Sequence, residues 1–202
     1  MLDRAALGLL GPGLQALARW LVRRGVGADA LTLGGFALGI AAAVAIALAA
    51  PLVGLALLLA SRLLDGLDGT VARLTRPTDR GAFLDIVLDF LFYASIPLAF
   101  AIADPPANAL AAAVLLASFI GTGSSFLAFA VMAERRGLRS DPYPSKGLYY
   151  LGGLTEGTET LICFGLMCVW PEHFARLAWG FAALCALTTA TRIIGAWRAL
   201  KA

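Results

Sequence analysis

The segment from residue 65 to residue 90, DGLDGTVARLTRPTDRGAFLDIVLDF, places four aspartates among apolar residues at helical spacings. Asp65 and Asp68 are three residues apart and Asp85 and Asp89 are four apart, so each pair shares one face of a helix. The short connector predicts two adjacent antiparallel helices whose aspartates face each other across a narrow cleft. Carboxylates so close repel one another, and protonation, salt bridges or bound cations must offset that repulsion.

The rest of the chain has the composition of a membrane protein. Of its 202 residues, 60% are hydrophobic and only 14% are charged, whereas about a quarter of the residues in a soluble domain are charged. The mean hydropathy is +0.83. The three cysteines have no zinc or disulfide spacing. The net charge of +3 follows from basic residues that flank membrane segments, so we expect no nucleic acid partner.

Hydropathy predicts an all-α membrane protein with six transmembrane helices. A bilayer core of about 30 Å needs roughly 20 apolar residues per helix. The segments that satisfy this are 31–50, 52–74, 82–103, 108–133, 148–170 and 174–197. Residues 14–24 have an amphipathic pattern that is typical of a helix lying in the membrane interface. We therefore expect an interfacial segment over residues 1–30 and one six-helix transmembrane domain over residues 31–202.

The basic residues lie mostly on one side of these predicted spans. That side collects Arg4, Arg19, Arg23, Arg24, Arg73, Arg76, Arg80, Arg135, Arg136, Arg139, Lys146, Arg198 and Lys201. The other side has only Arg176. Because cytoplasmic loops carry the excess of Lys and Arg, we expect both termini and the aspartates to face the cytoplasm.

The aspartates are suited to holding divalent cations. Hard cations such as Mg²⁺ prefer oxygen ligands, and two of them clamp phosphate oxygens in many enzymes. The small residues Gly69, Ala72 and Gly81 would let a diphosphate approach the backbone closely. A purely structural alternative pairs Asp65 with Arg62 or Arg73 and leaves Asp89 near a helix end.

Eight of these positions resemble the motif of the CDP-alcohol phosphotransferases, also called CDP-alcohol phosphatidyltransferases. The pattern is Asp65-x-x-Asp68-Gly69-x-x-Ala72-Arg73, followed by Gly81-x-x-x-Asp85-x-x-x-Asp89. The seven residues between Arg73 and Gly81 form a shorter connector than is usual in the family. The segments DFLFYASIPLAF, FIGTGSSFLAFA and YYLGGLTEGTET further resemble a bacterial inner-membrane subgroup, which implies a multi-pass protein of that membrane.

The resemblance implies a role for each motif position. Asp65, Asp68 and Asp85 would bind metal, and Asp89 would bind a second metal or act as the base. The spacing alone does not choose Asp89 over Asp85 as the base. Two Mg²⁺ ions are expected, with Mn²⁺ as an alternative. The residues expected at the nucleotide and diphosphate are Asp65, Gly69, Ala72, Arg73 and Gly81. The alternative for Arg73 is an ordinary membrane-flanking charge.

The family resemblance also implies the reaction. The expected reaction transfers a phosphatidyl group from CDP-diacylglycerol to an alcohol, with glycerol 3-phosphate ranked first, and releases CMP. One alternative is the transfer of a CDP-linked headgroup to diacylglycerol. Two further alternatives, a prenyltransferase and a divalent-cation transporter, match the eight-position motif and the short chain less well. A homodimer is expected from the family, and the small residues near Gly121 suit helix packing.

Two groups of polar residues are candidates for binding the acceptor. Arg135, Arg136, Arg139 and Lys146 lie in the predicted loop between the fourth and fifth spans. They suit an acceptor phosphate, and equally they suit topology-setting contact with anionic lipid. Glu156 and Glu159 fall inside the predicted fifth span, where carboxylates are functional candidates. They would bind the acceptor or pair with Arg192. Asp29 is predicted to cap the first span, and Thr32 is a candidate for nucleotide contact.

Overall fold

The computed structural model describes residues 2–137 and 153–200, and these ranges contain helices and no strand. The helices are α1 (Leu2–Arg23), α2 (Ala28–Ala47), α3 (Pro51–Leu74), α4 (Asp79–Ala103), α5 (Pro105–Arg135), α6 (Gly157–Val169) and α7 (Phe174–Ala199), with a 3₁₀ turn at Pro171–His173 before α7. The predicted all-α class is confirmed.

Within the described residues, four segments are long and apolar enough to cross a membrane, namely α2, α4, α5 and Pro171–Ala199. Helix α3 has 24 residues, or about 36 Å at 1.5 Å per residue, but its second half carries both acidic and basic side chains. Helix α6 has 13 residues and reaches only about 20 Å. The membrane class is therefore confirmed, while crossing by α3 and α6 stays a prediction.

The fifth predicted span is shorter in the structure than in the sequence pattern. Residues 148–152 lie outside the described ranges, and residues 153–156 are not helical. Helix α6 begins only at Gly157. The prediction of a continuous helix over 153–156 is wrong because Glu156 ends the irregular segment as the N-cap of α6.

Helix α1 is longer than the amphipathic segment predicted at 14–24. Its backbone is helical from Leu2 and continues through Pro12. Its apolar side packs against the protein, since Ala18 is fully buried in a cluster with Leu67 and Val71 of α3. The separate interfacial segment over residues 1–30 stays a prediction.

Helix α2 packs closely against both α3 and α4, and α5 packs against α4 and α7. The predicted pairing of α3 with α4 is made by side chains, while α2 makes the close backbone contacts with both helices. Side chains bridge α3 to α4: Asp65 lies near Asp85, while Arg62, further back along α3, reaches Asp89, further along α4. The order of these contacts shows that α3 and α4 are antiparallel.

The core beneath the aspartates is built around the ring of Phe92, which is fully buried. Gly39 of α2 makes room for it, because a Cβ at Gly39 would lie 2.5 Å from Cδ2 of the Phe92 ring. Carbon atoms do not pack at that distance, so α2 needs glycine here. Other large residues of this core are Leu58, Ile96, Phe100, Leu115, Phe164, Met167 and Phe174.

Candidate active site

Three of the four predicted aspartates form one cluster between α3 and α4. Carboxylate oxygens of Asp65, Asp68 and Asp85 all lie within 4.8 Å of one another. The shorter connector therefore still brings the two halves of the motif together. Because every donor in the cluster is a carboxylate oxygen, the arrangement fits a hard divalent cation. Asp68 is buried, and Asp65 and Asp85 are half-buried, so their mutual repulsion is only partly screened by water.

Asp68 is held in place from α2. The Thr32 hydroxyl donates a hydrogen bond of 2.6 Å to Oδ2 of Asp68. Thr32 was predicted as a candidate for nucleotide contact, and in the structure it orients a carboxylate of the cluster. This pairing joins residues 36 positions apart, so no local sequence pattern signals it.

The fourth aspartate, Asp89, is not a member of this three-carboxylate group and forms a salt bridge with Arg62. Arg62 Nη1 donates to Asp89 Oδ1 at 2.7 Å and lies 3.3 Å from Oδ1 of Asp65. The structural alternative for Asp65, pairing with Arg62, is thus present together with the cluster. Arg62 was weighed in the sequence only as an ion-pair partner, and its position three residues before Asp65 was the one available signal.

The small residues predicted at the diphosphate lie on the same side of α3. Gly69 and Ala72 are half-buried, and Arg73 is exposed. The Arg73 side chain folds back over Gly69, since a Cβ there would lie 3.3 Å from Arg73 Nη1. Arg73 Nη2 donates to the Thr70 hydroxyl at 3.1 Å. The Arg73 guanidinium therefore lies over Gly69 and Thr70, at the C-terminal end of α3.

Gly81 lies in the first turn of α4, where three polar groups meet. Thr78 is the N-cap, and its hydroxyl accepts a 3.1 Å hydrogen bond from the Gly81 N–H. A Cβ at Gly81 would lie 3.3 Å from Oδ1 of Asp29. Asp29 forms an ion pair of 2.5 Å with Arg80. The prediction of Asp29 as a helix cap is wrong: Gly27 is the N-cap of α2, and Asp29 links α2 to α4.

The basic residues predicted for the acceptor are only partly described. Arg135 is the last residue of α5 and Arg136 follows it, and both are exposed. Arg139 and Lys146 lie outside the described residues. The exposed position of Arg135 and Arg136 suits both an acceptor phosphate and the headgroups of anionic lipid. Both interpretations therefore stay predictions.

Glu156 and Glu159 form a capping box at the start of α6. The Glu156 side chain accepts from the backbone of Glu159, and the Glu159 side chain accepts from the Glu156 N–H at 3.1 Å. Glu156 precedes the first helical residue and Glu159 lies in the first turn of α6, so their expected position inside a span stays a prediction. Capping gives each carboxylate a structural task; their predicted roles at the acceptor remain untested.

Glu159→Gln separates capping from acceptor binding, because glutamine also serves at this position of a capping box. If Glu159 only caps, we expect Glu159→Gln to keep both the melting temperature and the transferase rate. Glu159→Ala should lose about 1 kcal/mol of stability. Thermal unfolding and CMP release on the same preparations are the measurements. A Glu159→Gln variant that folds normally but needs far more acceptor would instead assign Glu159 to the acceptor.

Comparison with known proteins supports the assignment of the motif. Residues 26–190 match the family model for CDP-alcohol phosphatidyltransferase. The chain is 50% identical over 201 residues to inner membrane protein YnjF of Escherichia coli strain K12, covering 100% of this chain and 98% of that protein.

Solved structures share the fold. The phosphatidylinositol phosphate synthase PgsA1 of Mycobacterium tuberculosis with CDP-DAG bound superposes with a TM-score of 0.70 at 24% identity, covering 91% of this chain and 93% of that one. The same enzyme in complex with manganese and citrate gives a TM-score of 0.70 at 24% identity, covering 91% and 88%. With a family model that spans most of its length, the chain belongs to the CDP-alcohol phosphatidyltransferase family.

Proposed function

We propose that this phosphatidyltransferase moves the phosphatidyl group of CDP-diacylglycerol to a small alcohol and releases CMP, with glycerol 3-phosphate as the first-ranked acceptor. The observation that carries the proposal is the cluster of Asp65, Asp68 and Asp85, whose carboxylate oxygens lie within 4.8 Å of one another. The related PgsA1 enzyme, which shares the fold, has a structure with CDP-DAG bound. The product would be a membrane phospholipid.

Asp65, Asp68 and Asp85 are the proposed metal ligands, and Asp89 would reach a second ion. We propose two Mg²⁺ ions, with Mn²⁺ as the alternative, because both cations accept carboxylate oxygens. The manganese complex of PgsA1 supports the use of a divalent metal on this fold. A divalent cation bound there would offset the negative charge of the diphosphate and of the departing CMP.

The small residues beside the cluster are the proposed diphosphate contacts. Gly69 and Ala72 put little side-chain bulk next to Asp68 on α3, and Gly81 adds no side chain in the first turn of α4. Arg73, folded over Gly69, is placed to contact a phosphate oxygen with its guanidinium. Asp65 is shared between the metal and the nucleotide side of the site. These residues would hold the donor without themselves taking part in bond changes.

Asp89 is the proposed base. It lies one helical turn beyond Asp85 on the same face of α4, and it pairs with Arg62. In the transfer, the acceptor oxygen bonds to the phosphatidyl phosphorus, and the bond from that phosphorus to the CMP oxygen breaks. The acceptor hydroxyl proton passes to the Asp89 carboxylate, which helps because a neutral alcohol is a weak nucleophile.

The proposed contacts for the acceptor phosphate are Arg135, Arg136, Arg139 and Lys146. The candidates for contact with the acceptor hydroxyl groups are Glu156 and Glu159. The exposed position of Arg135 and Arg136 at the end of α5 supports access to a soluble acceptor. Transfer of a CDP-linked headgroup to diacylglycerol is the alternative direction, since it uses the same donor chemistry. A divalent-cation transporter is the alternative from another class.

We further propose an inner-membrane location with both termini and the active site in the cytoplasm. The asymmetry of Lys and Arg supports this orientation. The similarity to YnjF, which is named an inner membrane protein, supports the location. A homodimer is proposed for the assembled enzyme.

The acceptor is best identified with the purified full-length chain in detergent or lipid. CDP-diacylglycerol and Mg²⁺ are supplied with one alcohol at a time: glycerol 3-phosphate, another polyol phosphate, serine or inositol. We expect CMP and a new phospholipid, identified by mass, with one of these alcohols, and glycerol 3-phosphate first. CMP formed only when a CDP-linked headgroup and diacylglycerol are supplied would replace the proposed direction with the alternative one.

A further inference from the structure

Arg62 is a buried cation that bridges two members of the aspartate motif. Its side chain is only 10% exposed. One nitrogen, Nη1, donates to Asp89 at 2.7 Å and lies 3.3 Å from Asp65. The other terminal nitrogen, Nη2, lies 3.3 Å from the Ser61 hydroxyl oxygen. Arg62 is not one of the eight motif positions, so the motif by itself assigns it no task.

The guanidinium of Arg62 is fixed by the core beneath it. Its carbon Cζ lies 3.8 Å from the ring centroid of Phe92, which is a close cation–π contact. The Phe92 ring is itself fully buried and packs closely against Gly39 of α2. The Arg62 Nε is buried without a hydrogen-bond partner. A cation held this way cannot swing out to solvent at little cost.

The charges around Arg62 explain why four aspartates are tolerated at helical spacings. Asp65 belongs both to the three-carboxylate cluster and to the Arg62 ion pairs. Arg62 thereby offsets part of the negative charge that would otherwise accumulate between α3 and α4. The same positive charge must repel a divalent cation that binds to Asp65, Asp68 and Asp85.

We propose that Arg62 is a positioning residue. When no metal is bound, its positive charge replaces part of the charge that the metal would supply to the aspartates. Its guanidinium holds Asp89 outside the cluster, so that the first divalent ion binds to Asp65, Asp68 and Asp85 alone. Its charge also weakens that binding. This inference rests on the metal site of the proposed function, and it assigns the control of metal affinity to a residue outside the motif.

The test is a Mn²⁺ titration of the purified full-length chain, followed by electron paramagnetic resonance of free Mn²⁺ without any nucleotide. Wild type is compared with Arg62→Met, which keeps a long apolar side chain but loses the charge, and with Arg62→Lys, which keeps the charge. We expect Arg62→Met to bind the first Mn²⁺ at least about tenfold more tightly, because a nearby cation no longer repels it. Arg62→Lys should stay within about threefold of wild type, since the positive charge that repels the metal is retained.

Thermal unfolding in EDTA and in Mn²⁺ gives a second readout. We expect Arg62→Met to melt lower than wild type in EDTA and to gain more from Mn²⁺, because the ion replaces the lost charge. A variant that folds only with Mn²⁺ supports the proposal for the same reason.

Unchanged Mn²⁺ affinity in Arg62→Met would overturn the proposal. Failure of Arg62→Met to fold even in Mn²⁺ would also overturn it, because Arg62 would then serve the packing on Phe92 and not the charge of the site. The proposed function is tested separately. If the wild-type protein responds to Mn²⁺ as expected but forms no CMP, the transferase reaction is excluded, while the proposed role of Arg62 is still supported.

Discussion

Replacing Asp85 by asparagine is expected to lower the rate of CMP release by at least about 1,000-fold, because a bound divalent cation supplies several kcal/mol of transition-state stabilisation. Asp85 is the contribution of α4 to the three-carboxylate cluster. Asparagine has nearly the same shape but offers a neutral oxygen, so the cluster loses one of three negative charges. Initial rates of CMP release at high Mg²⁺, with CDP-diacylglycerol and the acceptor, measure the effect.

Asp104→Asn is the matched control for this substitution. Asp104 caps α5 at the opposite end of α4, where its side chain accepts from the Ala107 N–H at 3.3 Å. Asparagine caps helices about as well as aspartate, so we expect the rate to stay within about twofold of wild type. An Asp85→Asn enzyme that keeps about a tenth or more of the wild-type rate would show that Asp85 is not a metal ligand.

Replacing Asp89 by asparagine is expected to lower kcat by about 10²- to 10⁴-fold, the range for loss of a general base. The binding of the first Mn²⁺ should change far less than in Asp85→Asn, because Asp89 lies outside the cluster and pairs with Arg62. The two variants therefore differ in kind: one loses the metal and the other loses the proton acceptor. Both quantities are measured on the same preparation, by CMP release and by Mn²⁺ titration.

If Asp89→Asn weakens the first Mn²⁺ as much as Asp85→Asn does, Asp89 is a ligand of that ion. The base would then have to be sought elsewhere among the polar groups at the site. A normal kcat in Asp89→Asn would exclude it from proton transfer altogether.

The aspartate cluster was predictable from the sequence because helical geometry determines which side chains share a face. Spacings of three and four put Asp65 with Asp68, and Asp85 with Asp89, on common faces. The short connector then forces α3 and α4 to run in opposite directions, which brings the two faces together. The apolar runs likewise predicted most helices to within a few residues, since a bilayer demands a minimum length.

The pairing of Asp89 with Arg62 was not predictable, because it depends on tertiary contacts. Arg62 reaches Asp89 only because Phe92 supports its guanidinium and Gly39 of α2 leaves room for that ring. No local spacing links these residues. The sequence presented Arg62 as one of several possible partners and could not rank it above Arg73.

Local polar patterns were the other source of error. Glu156 and Glu159 sit in an apolar context that suggested positions inside a span, yet three-residue spacing of this kind is also the pattern of a capping box. Asp29 was interpreted as a cap because it precedes an apolar run, but the cap is Gly27, and Arg80 binds the carboxylate. For Asp29, the role was determined by Arg80, a residue outside the local pattern.

We propose that the aspartate cluster supports metal-dependent transfer from CDP-diacylglycerol. The measurement that tests it most directly is CMP release by the purified wild-type chain, with the acceptor alcohols present, first in EDTA and then with Mg²⁺ in excess. We predict no CMP in EDTA, and with Mg²⁺ we predict CMP and new phospholipid in equal amounts. CMP formation that is insensitive to EDTA would contradict the metal site. The absence of CMP from any CDP-linked donor, together with Mg²⁺ flux into vesicles containing the protein, would contradict the transferase.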